Sequence, residues 1–353
     1  MQVTKTVEET RKQIKAWKKE GKTVGLVPTM GFLHEGHASL IKKCREQNDV
    51  VVVSDFVNPT QFGPTEDLDA YPRDFERDSK LCESLGADLI FCPEPSEMYH
   101  DPHAFVSIDT LSETLCGKTR PIHFKGVCTV VTKLFHIVAP DRAYFGQKDA
   151  QQLAIIRKMV QDLNFDIEII GCPIVREEDG LAKSSRNTYL NEEERKAALC
   201  LSKAVKLGQS MIHTGISAEE LLGKMRAVIE AEPLAKIDYV SMVDALTMQP
   251  IDCLLYTSDA ADDRKSRSQC SRSNGCLHRK NKTDRQLQLR GIIYGKYSKE
   301  NRKNQQPCIQ IYRDHHYCFL LPCFFLAGWL CMDDQLYLRL SRCDHVRYGT
   351  DHT

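Results

Sequence analysis

From residue 23 the chain alternates short apolar runs with amphipathic stretches, the pattern of a parallel sheet covered by helices. Residues 23–27 and 50–53 read as strands buried on both faces, because their apolar residues run together instead of alternating with polar ones. Between them, 37–47 predicts a helix with Leu40, Ile41 and Cys44 turned inward. The same reasoning places helices at 73–85, 127–138 and 150–163, and strands at 88–91, 143–145 and 166–170. After Asn187 the texture changes to charged helices at 192–212 and 218–231 and a strand at 237–245, which suggests a small second domain.

Composition narrows the function. Lys+Arg and Asp+Glu both number 48, so the totals imply no basic face for nucleic acid or an anionic membrane, and small-molecule chemistry is the better expectation. The first 22 residues mix charged and apolar side chains without an apolar core, so we read no signal peptide and expect a cytoplasmic protein with reduced thiols. Of 15 cysteines, eight fall after residue 252, and that shift marks a boundary. The run CLLYTSDAADD beyond it resembles translated sequencing-library adapter, and the residues after that run show neither helical nor strand periodicity. Residues 253–353 are therefore expected to be a non-native, disordered tail. Their one long apolar stretch, 319–331, is too short for a membrane span.

Four blocks carry candidate chemistry. The sharpest runs from Pro28 to His37, PTMGFLHEGH, directly after the first strand and opening a helix, the junction where open α/β sheets bind ligands. Gly31 and Gly36 allow backbone to approach phosphates, and the first N–H groups of the helix present partial positive charge to them. His34 and His37 could donate to phosphate oxygens as charge builds on a leaving group, each such donor being worth about 10²–10³ in rate. A lone histidine is more often structural; two of them three residues apart, flanked by glycines after a strand, favour function. A second block, LAKSSRN at 181–187, offers Lys183 and Arg186 to neutralise a triphosphate and the Ser184 and Ser185 hydroxyls to donate to it. Alone, such a run is commonly a solvated loop.

The third block is Gly146-Gln147-Lys148-Asp149 followed by Gln151-Gln152. Lys148 is placed to hold phosphate or an attacked carboxylate, Asp149 to hold ribose hydroxyls or a neighbouring donor, and Gln152, on the same helix side as Asp149, to bind a substrate hydroxyl. The bland alternative is an ordinary helix start. In the fourth, FVNPTQF at 56–62, Asn58 and Gln61 suit the hydroxyl and carboxylate groups of a small polyol acid, or form an Asn-Pro turn with no ligand.

HxGH marks the nucleotidylyltransferase superfamily, and the longer PTMGxLHxGH form resembles the pantothenate synthetase (pantoate–β-alanine ligase) family. LAKSSRN resembles that superfamily's mobile KMSKS-like loop, with Lys183 where the family more often has Met, so the contact there falls to backbone. The family also carries G-x-K-D-x-x-Q. The resemblance adds Met30, Gly146, Gln147 and Val175 to the nucleotide-binding set, makes Gln61 a pantoate contact where β-alanine attacks, and likens Arg120 in GKTRPIHFKG to an anion-binding arginine. It implies a Rossmann-like parallel sheet flanked by helices (1–176), a smaller α+β C-terminal lid domain (177–252), and a homodimer. The substrates implied are ATP, pantoate and β-alanine, with Mg²⁺ carried on the nucleotide, through a pantoyl adenylate. A sister nucleotidylyltransferase and a nucleotide-binding fragment without turnover remain open at this point. Two departures stand out. Asp55 occupies an apolar strand where the family usually has Ile or Val, and unpaired burial there would cost several kcal/mol or keep it protonated. The family's closing strands are not recognisable after Asp252, so the sheet of the second domain should lack partners.

Overall fold

The computed structural model describes residues 1–251, except 212 and 213, and the backbone of 289–296 and 308–311. In chain order the first part runs β1 (Gln2–Thr4), α1 (Val7–Lys19), β2 (Val24–Thr29), α2 (Glu35–Gln47), β3 (Val50–Asp55), α3 (Phe75–Ser84) and β4 (Leu89–Phe91). After the short turns α4 (Pro95–Met98) and α5 (Cys116–Thr119) come α6 (His123–Val138), β5 (Arg142–Gly146), α7 (Ala150–Asp162) and β6 (Glu168–Cys172). The six strands form one parallel sheet in the order β1-β4-β3-β2-β5-β6.

Strand parity explains the unbroken apolar runs. Val24, Leu26, Val50, Val52, Leu89, Phe91 and Phe145 join a core with α1, α6 and α7, whereas Val27, Val51, Val53, Ile90 and Tyr144 pack on the opposite face with α2 and α3. Leu40, Ile41 and Cys44 point into that second face as expected. The chain moves outward from β2 through β3 to β4, then returns to the other side of β2 for β5 and β6. The loops leaving β2 and β5 therefore part at a topological switch point, where such sheets bind ligands. β2 and β3 pair in register from Val24↔Val50 to Thr29↔Asp55, so the loops that follow them emerge side by side.

β1 and α1 were not foreseen, although Thr6 and Glu9 form a capping box whose T-x-x-E signature is visible in the sequence. The expected helix over 192–212 is broken at Ala198 into α8 (Glu192–Ala197) and α9 (Leu199–Met211), with no glycine or proline to announce the break. α8, α9, α10 (Ala218–Glu230) and β7 (Lys236–Asp244) follow, and α9, α10 and β7 enclose a separate hydrophobic cluster that includes Leu181, Leu201, Leu221, Ile229 and Met242. Here the structure differs from expectation: β7 pairs antiparallel with β8 (Leu289–Lys296), and β8 with β9 (Cys308–Ile311). The run LRGIIYGK of β8 has β-forming residues at its centre, a local signal that the polar sequence around it concealed. The remainder of 253–353, including the 319–331 stretch, lies outside the described residues. Among the described residues no helix is long and apolar enough to cross a membrane, and no disulfide joins the seven cysteines whose side chains are described.

Candidate active site

The turn out of β2 is built before any ligand is considered. Thr29 Oγ1 donates to Ser54 O at 2.7 Å and accepts the Gly31 N–H at 3.2 Å, and Leu33 N donates to Asp78 Oδ1 at 2.7 Å. Gly31 has φ +76°, and a Cβ there would overlap the Asp55 carboxylate. His34 then caps α2. Its Nδ1 accepts the Gly36 N–H at 3.0 Å, while His37 Nδ1 accepts the His34 N–H at 3.2 Å, and the rings lie 4.2 Å apart. Because each ring accepts at Nδ1, each neutral imidazole carries its proton on Nε2 as a donor. Burial, then Lys148 and Lys183, pushes His34 down to about 4; burial, then His34 and Lys148, holds His37 well below the usual range. Gly36 serves His34 more directly than it serves a phosphate, since a Cβ there would lie 2.7 Å from His34 Cε1.

A cleft open to solvent is lined by Met30, His34, His37, Lys148, Asp149 and Gln152, and on its other walls by Asn58, Gln61, Arg120 and Ser184 to Arg186. The first and second blocks, about 150 residues apart in the chain, meet directly: Ser185 Oγ donates to Phe32 O at 3.1 Å, and Lys183 Nζ lies 3.2 Å from Glu35 Oε2. Ser184 accepts the Arg186 N–H at 3.3 Å and so starts the helical turn that carries the arginine. Behind it the Lys183 N–H is fixed on Val175 O at 3.0 Å, so Val175 supports the loop through backbone. Gly31, Gly36, Gly146, Gln147, Val175 and Lys183 stand around the cleft, outside the set of residues that line it. The Gln147 side chain lies over Gly171 of β6, 3.7 Å from where a Cβ would stand.

Each cation of the cleft is met by a carboxylate. Lys148 Nζ sits 3.1 Å from Asp149 Oδ1. Arg186 grips Asp67 with Nε at 2.8 Å and Nη2 at 3.0 Å, and its guanidinium lies over the Tyr71 ring. Arg120 Nε lies 3.0 Å from both Glu66 oxygens, and its Nη2 bonds the same carboxylate. Burial would raise the Asp67 carboxyl, but the hydrogen bonds and charge of Arg186 and the Tyr189 hydroxyl leave it below the usual carboxylate range. Glu66 and Asp67 were not foreseen; their signal is two adjacent acids in a short loop, which has no meaning until the arginines are seen opposite.

On the third wall, Asn58 is satisfied by the protein. Its Nδ2 donates to Gln61 Oε1 and Gly126 O, both at 3.1 Å, and its Oδ1 accepts from Tyr99 at 2.7 Å and Thr60 Oγ1 at 3.0 Å. This is the Asn-Pro turn of the bland reading, and it orients Gln61, whose Nε2 rests on the weak acceptor Met30 Sδ at 3.0 Å. His123, three residues past Arg120 in GKTRPIHFKG, was also missed. Its Nδ1 is 3.1 Å from Gln61 O, and burial followed by Arg120 lowers it to about 3. Val127, Val130, Val131 and Leu134 of α6 give this side an apolar wall.

A parallel α/β sheet with histidine donors and paired cations around one switch-point cleft belongs to the class of folds whose strand ends suit a nucleoside triphosphate beside a small acid. The sequence profile of the Pantoate-beta-alanine ligase family matches residues 2–269, and the chain belongs to that family. It is an ATP-dependent ligase that forms pantothenate from pantoate and β-alanine. Pantothenate synthetase of Ruminiclostridium cellulolyticum is 62% identical over 258 residues, covering 72% of this chain and 91% of that protein. That of Clostridium botulinum is 57% identical over 256 residues with the same coverages. A pantothenate synthetase structure from Thermus thermophilus superposes with TM-score 0.73 at 38% identity over 88% of this chain and 99% of that one. The ligase from Francisella tularensis complexed with Beta-gamma ATP and Beta-alanine gives TM-score 0.64 at 29% identity over 88% and 97% of the two chains.

Proposed function

We propose that the ligase works in two steps within this single cleft, by way of an acyl adenylate. A carboxylate oxygen of pantoate attacks the α-phosphorus of ATP and the bond to pyrophosphate breaks. The uncharged amine of β-alanine then attacks the acyl carbon, the amide bond forms, AMP leaves, and the ammonium of the adduct gives its proton to solvent. His34 and His37, as neutral Nε2–H donors, bond the phosphate oxygens as charge develops on the leaving pyrophosphate. Lys148 stabilises the α-phosphate and the attacked carboxylate, while Ser184, Ser185 and Arg186 hold the outer phosphates. Gln61 and Gln152 bind the hydroxyl groups of pantoate, and the α6 wall receives its two methyl groups. The carboxylate of β-alanine stays charged throughout and needs a fixed cation; Arg120, whose Nη2 is 3.5 Å from Gln61 O, supplies one beside the point of attack. Magnesium enters as part of the MgATP substrate, carried on the nucleotide phosphates. In this reading the enzyme is a cytoplasmic homodimer.

The observation that carries the reading is the meeting of His34, His37, Lys148, Ser185 and Gln61 on one cleft. In a rapid-quench experiment with ATP and pantoate alone, pyrophosphate should form in an amount equal to the enzyme, with AMP appearing only after β-alanine is added. His37→Ala should slow pyrophosphate formation by about 10²–10³. AMP released at full rate without β-alanine would remove the second step.

A further inference from the structure

Of the two adjacent glutamines at the start of α7, Gln152 lines the cleft, while Gln151 is 0% exposed and faces away. Its amide is spent on one loop. Nε2 donates to Leu111 O at 2.8 Å and Thr114 O at 2.7 Å, and Oε1 accepts the Cys116 N–H at 3.0 Å. Two of these bonds flank Leu115, whose φ of 51° and ψ of −122° lie in a region that L side chains resist. The loop is thus held at both sides of its strained residue. Cys116, held through its N–H by Gln151, accepts the Arg120 N–H at 2.8 Å through its carbonyl, and both residues line the cleft. A glutamine is required by this geometry: one nitrogen offers two donors to two carbonyls while the oxygen accepts an N–H, and an ionised glutamate or a methionine of the same length cannot do both.

We propose that Gln151 is a positioning residue for the β-alanine half of the reaction, holding loop 111–116 in its strained form so that Arg120 stands where the amino-acid carboxylate binds. The proposal rests on the assignment of Arg120 made above. Its test is steady-state kinetics on the full chain for wild type, Gln151→Met, Gln151→Glu, Arg120→Ala and the Gln151→Met/Arg120→Ala double variant. Gln151→Glu retains the acceptor for Cys116 and carries the test if Gln151→Met does not fold. Both Gln151 variants should raise the KM for β-alanine about tenfold or more, with kcat and the KM for ATP within about threefold of wild type. The double variant should be little worse than Arg120→Ala. Arg120→Ala with an unchanged KM for β-alanine overturns the underlying assignment of the arginine. Arg120→Ala that raises this KM, beside Gln151 variants that leave it alone or that raise all three substrate KM values equally with a lower melting temperature, overturns the positioning role alone.

Discussion

Asp55 ends β3 half-buried against the turn at Gly31, with the carboxylate of Asp78 as its neighbour. Asp78 Oδ2 itself has no hydrogen-bond partner. Burial first, then Asp78, pushes the Asp55 carboxyl up to about 7. An unfolded aspartate titrates near ~3.9, so between those values the folded chain keeps a proton that the unfolded chain has lost; stability falls as pH rises through this window, and the cost is complete above it. His34 has the opposite sign. Its folded value of about 4 lies below the unfolded value, so stability falls as pH drops from about 6.5 towards 4. In the natural chain the two slopes oppose each other. Asp55→Ile should add roughly 2–4 kcal/mol at pH 8, an advantage that shrinks towards zero near pH 4 and leaves the histidine slope exposed. Urea unfolding at several pH values measures this directly, and an advantage independent of pH would mean that packing, not ionisation, separates the two chains.

At the scale of elements, the placement of the candidate blocks was readable wherever they sit in a short run joined to a strand end. PTMGFLHEGH after β2 and GQKD after β5 are such runs, and their positions followed from period and punctuation alone. Long-range pairing was not readable: nothing local says that residues 63–70 bring Glu66 to Arg120 and Asp67 to Arg186 across 54 and 119 residues of chain. Nor did the sequence distinguish Asn58, bonded wholly within the protein, from Gln61, since both are amides in one turn. The acidic loop has its own consequence. Asp67 is only 6% exposed and holds Arg186 bidentately, so it fixes the direction of the guanidinium as much as its charge. Asp67→Ala should cost about 1.5–3 kcal/mol by removing the charge-assisted bidentate bond to Arg186. It should also raise the KM for ATP while leaving that for β-alanine near its natural value. A lower KM for ATP would show instead that Asp67 competes with phosphate for the arginine.

Across the whole molecule, the loop that leaves the separate hydrophobic cluster reaches the cleft at the end of the parallel sheet. Leu181 is buried in the cluster built by α9, α10 and β7, and two residues later the chain lies against the start of α2, through Lys183 with Glu35 and Ser185 with Phe32. His34 and His37 belong to the parallel-sheet side. On the proposed assignment, a triphosphate held by both segments is a non-covalent tie between the clusters, and its binding energy should appear in the stability of each. At a free ATP concentration of ~100 times Kd, linkage gives about 2.7 kcal/mol. Amide exchange should then slow in α9 and α10 as well as in β2 and α2, by up to about a hundredfold for protons released only by unfolding of their core. Ser185→Ala with Arg186→Ala should abolish the effect in α9 and α10 while leaving part of it in β2 and α2, because the histidine side still holds phosphate. Protection confined to the parallel-sheet core in the natural chain would mean that the serine loop does not carry nucleotide binding into the second cluster.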